Sequence, residues 1–295
     1  MKIAVTGRHG QVVRSLIERS EGAGVQIIAL GRPEIDLAQP QTIFDALAAT
    51  RPDVVVNAAA YTAVDQAESE TESALAINGA GAGAVASAAA RLQVPVIQLS
   101  TDYVFDGELD RPYVETDPTN PLGVYGRSKL FGEEAVAKAT PDHAILRTAW
   151  AYSPFGKNFV RTMLNLAKQR EEISVVADQH GAPTSALDIA DGVIVVAKQL
   201  AARPDDASLR GTFHMVSQNE ATWADFAEAI FSVSRELGGP SARVIRIPTS
   251  SYPTPARRPK NSRLNCDRLA AAYGVRLPPW QAALPTCVER LLKDR

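Results

Sequence analysis

Short runs of β-branched and other apolar residues recur along the first half of the chain, at 3–5, 25–30, 53–57, 94–99 and 144–147. Between them lie stretches whose apolar positions repeat with helical spacing, many of them alanine-rich, most clearly 41–49, 68–92 and 128–139. Strand-like runs alternating with helical ones predict a parallel sheet covered on both faces. The expected fold class is α/β, a Rossmann-type doubly wound parallel sheet with a smaller C-terminal lobe. Pro40 suits a first helical turn, and Pro95 sits where a strand begins.

Beyond about residue 150 the pattern loosens around Pro154, Gly156, Gly181 and Pro183, and residues 202–211 are polar. The expected division is a dinucleotide-binding domain over 1–150, rejoined by segments from about 171–210, and a mainly substrate-binding lobe over 151–295. Residues 173–176 are read as a strand returning to the sheet. Residues 222–235 read as an amphipathic helix capped by Thr222, and 248–259 as proline-rich extended loop.

Composition narrows the classes. Of 295 residues, 45% are apolar and 22% charged, as in ordinary globular proteins. A net charge of −2 provides no basic field for a nucleic-acid backbone, so a nucleic-acid partner is not expected, although single nucleotides are not excluded. Cys266 and Cys287 make neither a disulfide framework nor a metal cluster, and His9, His143, His180 and His214 are scattered. The longer apolar runs read as too short or too interrupted to span a bilayer, and the chain opens on strand residues rather than a signal peptide. The expectation is a cytoplasmic protein with no metal and no membrane partner.

Candidate chemistry begins after the first strand. Thr6, Gly7, Arg8, His9, Gly10, Gln11 and Val12 place glycines where backbone amides at a helix N-terminus can approach a pyrophosphate. The third glycine of that pattern is replaced by Val13. At the end of the second strand stand Gly31, Arg32 and Pro33. An arginine there can meet a 2′-phosphate, which favours NADPH, while Glu34 and Asp36 leave NADH as the alternative. Asn57, Ala58, Ala59 and Ala60 supply small side chains at the end of the third strand.

The fourth strand runs into Ser100, Thr101, Asp102, Tyr103, Val104, Phe105, Asp106 and Gly107. Of the seven tyrosines, Tyr125 alone has a lysine four residues on, Lys129, and the pair opens a helix that covers the sheet. Positions i and i+4 share a helix face, so the ammonium can stand beside the phenol. At about 5 Å and an effective dielectric of about 20 it stabilises phenolate by on the order of 3 kcal/mol, roughly two pKa units before desolvation is subtracted. A hydroxyl at Thr101, with Ser100 as the fallback, a phenol at Tyr125 and an ammonium at Lys129 can pass a proton to a carbonyl oxygen while a nicotinamide delivers hydride. Asp102 is a candidate for tuning the site or accepting from a sugar hydroxyl, and Tyr103 and Trp150 for walls of a sugar pocket. Arg257 and Arg258 read either as a diphosphate clamp or as exposed charges.

In these motifs the chain resembles the extended short-chain dehydrogenase/reductase superfamily, and more closely the dTDP-4-dehydrorhamnose reductase family. The similarity continues through residues 57–68, Arg147, Thr148, Ala149 and Trp150, residues 178–184 and residues 258–262, and so covers almost the whole chain. It implies NADPH-dependent reduction of a sugar nucleotide, dTDP-4-dehydro-β-L-rhamnose, to dTDP-β-L-rhamnose, a step towards cell-surface polysaccharide. By the same resemblance Gly10, Gln11 and Val12 contact the pyrophosphate, Asp36 and Leu37 border the adenine, and Ala60, Tyr61 and Thr62 line the cofactor. Tyr125 is then the proton donor, Lys129 holds the ribose, and Thr101, Asp102 and Trp150 face the sugar. Some members dimerise through a magnesium ion held by glutamates. The matching positions here are Ser15 and Leu187, so a homodimer would form without that bridge. The alternatives are another sugar-nucleotide reductase or epimerase of the superfamily, or a regulatory subunit that binds the dinucleotide without turnover. Tyr103, where the dehydratases resemble one another in carrying glutamate, argues against dehydration.

Overall fold

Five of the six strands of the central sheet coincide with the apolar runs of the first half. They are β1 (Lys2–Thr6), β2 (Gln26–Leu30), β3 (Val54–Asn57), β4 (Val96–Thr101) and β5 (His143–Thr148), joined at the edge by β6 (Gly211–His214). The structure, a computed structural model, describes residues 1–293. All pairings in this sheet are parallel and the order is β6-β5-β4-β3-β1-β2.

Successive residues of each strand serve opposite layers. Ile3, Val5, Val54, Val56, Ile97, Ala144 and Leu146 pack on one face with α1 (Gln11–Ala23) and with α5 (Ala186–Ala202), whereas Ala4, Val55, Val96 and Ile145 pack on the other. That second face is covered by α2 (Ile43–Thr50), α3 (Ala82–Leu92) and α4 (Val124–Ala139). The chain winds outward in one direction from β1 to β2 and in the other from β3 to β6. The crevice at the carboxyl ends of β1 and β3 is therefore the topological switch point, where such sheets bind ligands.

The edge position beside β5 corrects the sequence-based expectation for 173–176. Those residues form a strand, Glu172–Val176, but it pairs in parallel with Arg243–Ile247 in a separate two-stranded sheet. The edge of β5 is taken by β6, from Gly211 opposite Ala144 to His214 opposite Arg147. A second apolar cluster lies around the Glu172–Val176 pair. It gathers Tyr152, Met163, Ile173, Phe226, Ile230 and Trp280 from the helices Phe159–Ala167, Trp223–Glu236 and Trp280–Lys293 and their neighbours. Thr222 caps the middle one of these, as the sequence predicts, accepting from the Asp225 amide, and the structure adds that Asp225 accepts in turn from the Thr222 amide.

One expectation about apolar runs needs correcting. The helical stretch Thr71–Leu92 spans 22 residues and contains an 18-residue window with a mean hydropathy of 1.2, long and apolar enough to cross a membrane by length and composition. Alanine accounts for much of this, and Ala82, Val85, Ala86 and Ala89 spend their apolar surface against the sheet.

Candidate active site

Buried polar groups tie the carboxyl ends of the strands together. Thr6 Oγ1 donates to Asn57 Oδ1 at 2.5 Å and accepts from the Ala58 and Ala59 amides at 3.1 Å, and Asn57 Nδ2 donates to Gln98 at 2.7 Å. These bonds link β1, β3 and β4 just before the residues that line a cleft of about 780 Å³, among them Gly7, Ala58 and Leu99. Gly7, Gly10, Gln11, Val12, Ala60 and Thr62 line one end, and Thr101, Asp102, Tyr103, Tyr125, Lys129 and Trp150 the other.

The first turn fits a dinucleotide. Gly7 has φ +99°, a conformation that glycine adopts without strain, and no side chain caps α1 at Gly10. The first-turn amides of α1 therefore remain available to an anion. Gln11 meets such a group through its backbone, because its side chain donates to the Ala151 carbonyl at 3.3 Å and accepts from Ser153 at 2.8 Å. Val13, in place of the third glycine, is buried in the core.

An adjoining cavity of about 350 Å³ shares Gly7, Ala59 and Ala60 with the first and is walled by Arg32, Asp36 and Leu37. Arg32 is exposed there, and Asp36 accepts from the Ala38 amide at 3.0 Å. The sequence reading missed Arg8, which also lines this cavity and pairs with Glu34 at 2.7 Å. Tyr61 departs from expectation: it lines neither cavity, and its hydroxyl donates to Glu70 at 2.9 Å. The Tyr61 backbone is clasped instead by Asn78, which accepts from its amide at 2.8 Å and donates to its carbonyl at 3.0 Å. Asn78 sits in a π-helical turn, Ala76–Gly81, and also donates to Ser128 on α4 at 2.9 Å. Such turns often mark functional positions, but no period in the sequence reveals one.

Tyr125 and Lys129 lie on α4, which approaches the turn after β4 closely enough that a Cβ at Gly126 would collide with the Tyr103 carbonyl. The Tyr103 and Tyr125 rings meet edge to face at 5.9 Å. Desolvation pushes the Tyr125 phenol up to about 12, against the opposing pull of the neighbouring Thr101 hydroxyl. Desolvation, the part left to be subtracted from the lowering expected of Lys129, thus dominates at this phenol. The ammonium donates to the Leu99 carbonyl at 2.6 Å, and burial itself depresses Lys129 to about 8. Thr101 donates to Asp102 at 2.9 Å and accepts from the Tyr103 amide at 3.2 Å, while burial raises the Asp102 carboxyl to about 6. Ser100 is not available as a substitute for Thr101, because its hydroxyl is buried and donates to Glu133.

Trp150 holds φ +44°, rare for a bulky residue, with its ring against Gly181 on one side and stacked on Trp223. Trp223, another residue the sequence reading passed over, lines the cleft as well. Arg258 is held by Asp65 through two bonds of 2.8 and 3.0 Å, whereas Arg257 is exposed beside a narrow crevice next to Tyr103 and Tyr125. Among the described residues no cluster of histidine, cysteine and carboxylate side chains could hold a metal ion.

Comparison with known proteins bears on this geometry. The RmlD substrate binding domain family model matches residues 1–293. The chain belongs to this family. A Sinorhizobium fredii relative named dTDP-4-dehydrorhamnose reductase is 51% identical over 294 residues, covering 100% of this chain and 99% of that one. The crystal structure of a dTDP-4-dehydrorhamnose reductase from Clostridium acetobutylicum superposes with a TM-score of 0.90 at 36% identity, covering 99% and 100% of the two chains. That of the Bacillus anthracis enzyme, in complex with NADP, gives 0.88 at 33% identity, covering 100% and 99%.

Proposed function

We propose that this chain is an NADPH-dependent oxidoreductase that reduces dTDP-4-dehydro-β-L-rhamnose to dTDP-β-L-rhamnose. The observation that carries the reading is a single cleft holding an uncapped helix N-terminus behind Gly7 at one end and Thr101, Tyr125 and Lys129 at the other. Membership of the family and the relatives named dTDP-4-dehydrorhamnose reductase supply the substrate. The NADP complex of the Bacillus anthracis protein supports the cofactor.

NADPH, when bound, supplies the hydride that C4 of the ketosugar takes up. The chain's residues do the rest. The amides of Gly10, Gln11 and Val12 hold the pyrophosphate, Leu37 and Asp36 border the adenine, and Arg32 with Arg8 provides positive charge for a 2′-phosphate. NADH lacks that phosphate and is the weaker alternative. Lys129, close to the Leu99 carbonyl, holds the nicotinamide ribose.

With its pKa near 12, Tyr125 keeps its proton at neutral pH, as a proton donor requires. It donates to the C4 oxygen as the C4 carbon gains its hydrogen, and the ketone becomes a secondary alcohol. Thr101 orients that oxygen, Asp102 accepts from a sugar hydroxyl, and Tyr103 and Trp150 wall the ring. In this reading residues 151–295 mainly serve the sugar nucleotide. Ser15 and Leu187 offer no carboxylate, so a homodimer would form without magnesium held there. Free thiols at Cys266 and Cys287 fit a cytoplasmic setting.

The test is incubation of the purified protein with enzymatically generated dTDP-4-dehydro-β-L-rhamnose and NADPH, following loss of reduced-nicotinamide absorbance and identifying the sugar by mass. Stoichiometric oxidation with formation of dTDP-β-L-rhamnose supports the proposal. Cofactor binding without oxidation would overturn it in favour of an epimerase or a regulatory subunit.

A further inference from the structure

The reaction as described leaves unused a buried ion pair directly behind the catalytic residues. Glu133 follows Lys129 by one helical turn on α4, as Lys129 follows Tyr125, so the three share a face. Its carboxylate receives Arg147 from β5 through three contacts: Nε to Oε1 at 3.0 Å, Nε to Oε2 at 3.2 Å and Nη2 to Oε2 at 2.6 Å. Both side chains are almost wholly buried, at 6% and 5% exposure. The Ser100 hydroxyl also donates to Glu133, and the residue before it, Leu99, accepts from Lys129. The pair thus joins α4, β4 and β5 immediately behind Thr101.

Stability alone is a poor reason for such a pair. Desolvating two charges offsets most of their attraction, and an apolar pair of similar volume is often as stable. Arg147 Nη1 has no hydrogen-bond partner, although the guanidinium lies 5.1 Å from the Phe105 ring centroid. What the pair does have is position. The Glu133 charge favours the ammonium of Lys129, opposing the burial that disfavours it.

We infer that Glu133 and Arg147 are positioning residues for the reduction: Glu133, one turn along α4, seats Lys129 against β4 beside the Leu99 carbonyl, and Arg147 holds the Glu133 carboxylate in place from β5. This rests on the reductase reading for the role of Lys129. The other titratable groups near Lys129 are Tyr125 on its own helix and Asp102 and Tyr103 in the turn after β4. Asp65 is engaged by Arg258, Glu72 and Arg91 are exposed, and His143 lies at the far end of β5.

The pair makes a prediction with two signs. Glu133→Gln keeps the size and the hydrogen bond to Ser100 but leaves Lys129 facing an unbalanced Arg147. The alkaline limb of NADPH binding, read by reduced-nicotinamide fluorescence, should then move down by about one pH unit. Arg147→Met should move it up. The limb of ketosugar reduction should follow in each case, with kcat falling more than KM rises. If both variants lose activity while both limbs stay at the wild-type pH, the pair is only a packing element and the inference is overturned. Should Glu133→Gln fail to fold, the double variant Glu133→Gln/Arg147→Met leaves no unpaired charge. Its binding limb should still lie below that of the wild type, and coincidence with the wild type would equally overturn the inference. Because the binding limb needs no ketosugar, failure of the reductase reading would show separately, as absence of turnover in the wild type.

Discussion

Trp150 and Trp223 stack face to face, with ring centroids 3.6 Å apart and planes within 9° of parallel. Trp150 belongs to the loop after β5, and Trp223 opens the helix capped by Thr222, so the stack joins the sheet to the second apolar cluster at the rim of the cleft. Trp223 thereby fixes the ring proposed to face the sugar. Trp223→Ala should raise the KM for the ketosugar about tenfold while changing kcat much less and leaving NADPH binding intact, since an aromatic pair contributes about 0.5–1.5 kcal/mol beyond area burial. Steady-state kinetics with each substrate varied checks this. A fall confined to kcat would contradict it.

Tyr125→Phe removes the proposed proton donor without changing the ring. It should lower kcat by a factor on the order of 10² to 10⁴ and leave the affinity for NADPH within about twofold. The phenol stays protonated up to about pH 12, so any alkaline loss of activity near pH 8 belongs to Lys129, whose ammonium is lost as pH rises through about 8. A rate profile flat to pH 10 would remove Lys129 from the account.

The fold was legible where its elements carry a strong local signal. The apolar runs of β1 to β5 each have a single reading, and Thr222 marks the start of its helix, to which the structure adds Asp225 as the reciprocal partner. β6 escaped because Gly211, Thr212, Phe213 and His214 are too few and too mixed to stand out after a polar segment. The strand Glu172–Val176 was recognised but given the wrong partner, because a local pattern fixes conformation and face but not which edge a strand joins. In the site, the spacing of Tyr125 and Lys129 brought both to one cleft. It could not reveal the Leu99 carbonyl that receives the ammonium, nor the depth of burial that makes desolvation dominate at the phenol. The pairing of Glu133 with Arg147 was invisible for a related reason: the two stand on different elements, and neither has a periodic relation to the other.

Asp102 carries a stability prediction. Its folded pKa of about 6 exceeds the unfolded value of 3.8, so the folded state binds the proton more tightly. The associated stability is present below pH 4 and is lost as pH rises through 6, a difference of about 3 kcal/mol. Asp102→Asn cannot ionise. It should be more stable than the wild type at pH 7 by up to that amount, with the advantage much reduced at pH 4. Chemical denaturation at the two pH values measures it, and a pH-independent difference would contradict the assignment.

Arg32 and Arg8 border the cavity proposed for the adenosine end, with Glu34 drawing on Arg8. Arg32→Ala should weaken NADPH binding by about three- to tenfold and leave NADH nearly unchanged, because only NADPH offers a phosphate to the guanidinium. Glu34→Gln should act in the opposite direction. Fluorescence titration with both cofactors decides, and equal losses for the two would show that Arg32 does not read the 2′-phosphate.

The central claim is that hydride reaches C4 of the ketosugar in a cleft where Tyr125 supplies the proton. The most direct measurement uses NADPH deuterated at the transferable position, with dTDP-4-dehydro-β-L-rhamnose as substrate and NMR of the product. The account predicts one deuterium, at C4 of dTDP-β-L-rhamnose, formed by the wild type and almost absent with Tyr125→Phe. An unlabelled or epimerised sugar, or equal labelling by the variant, would contradict it.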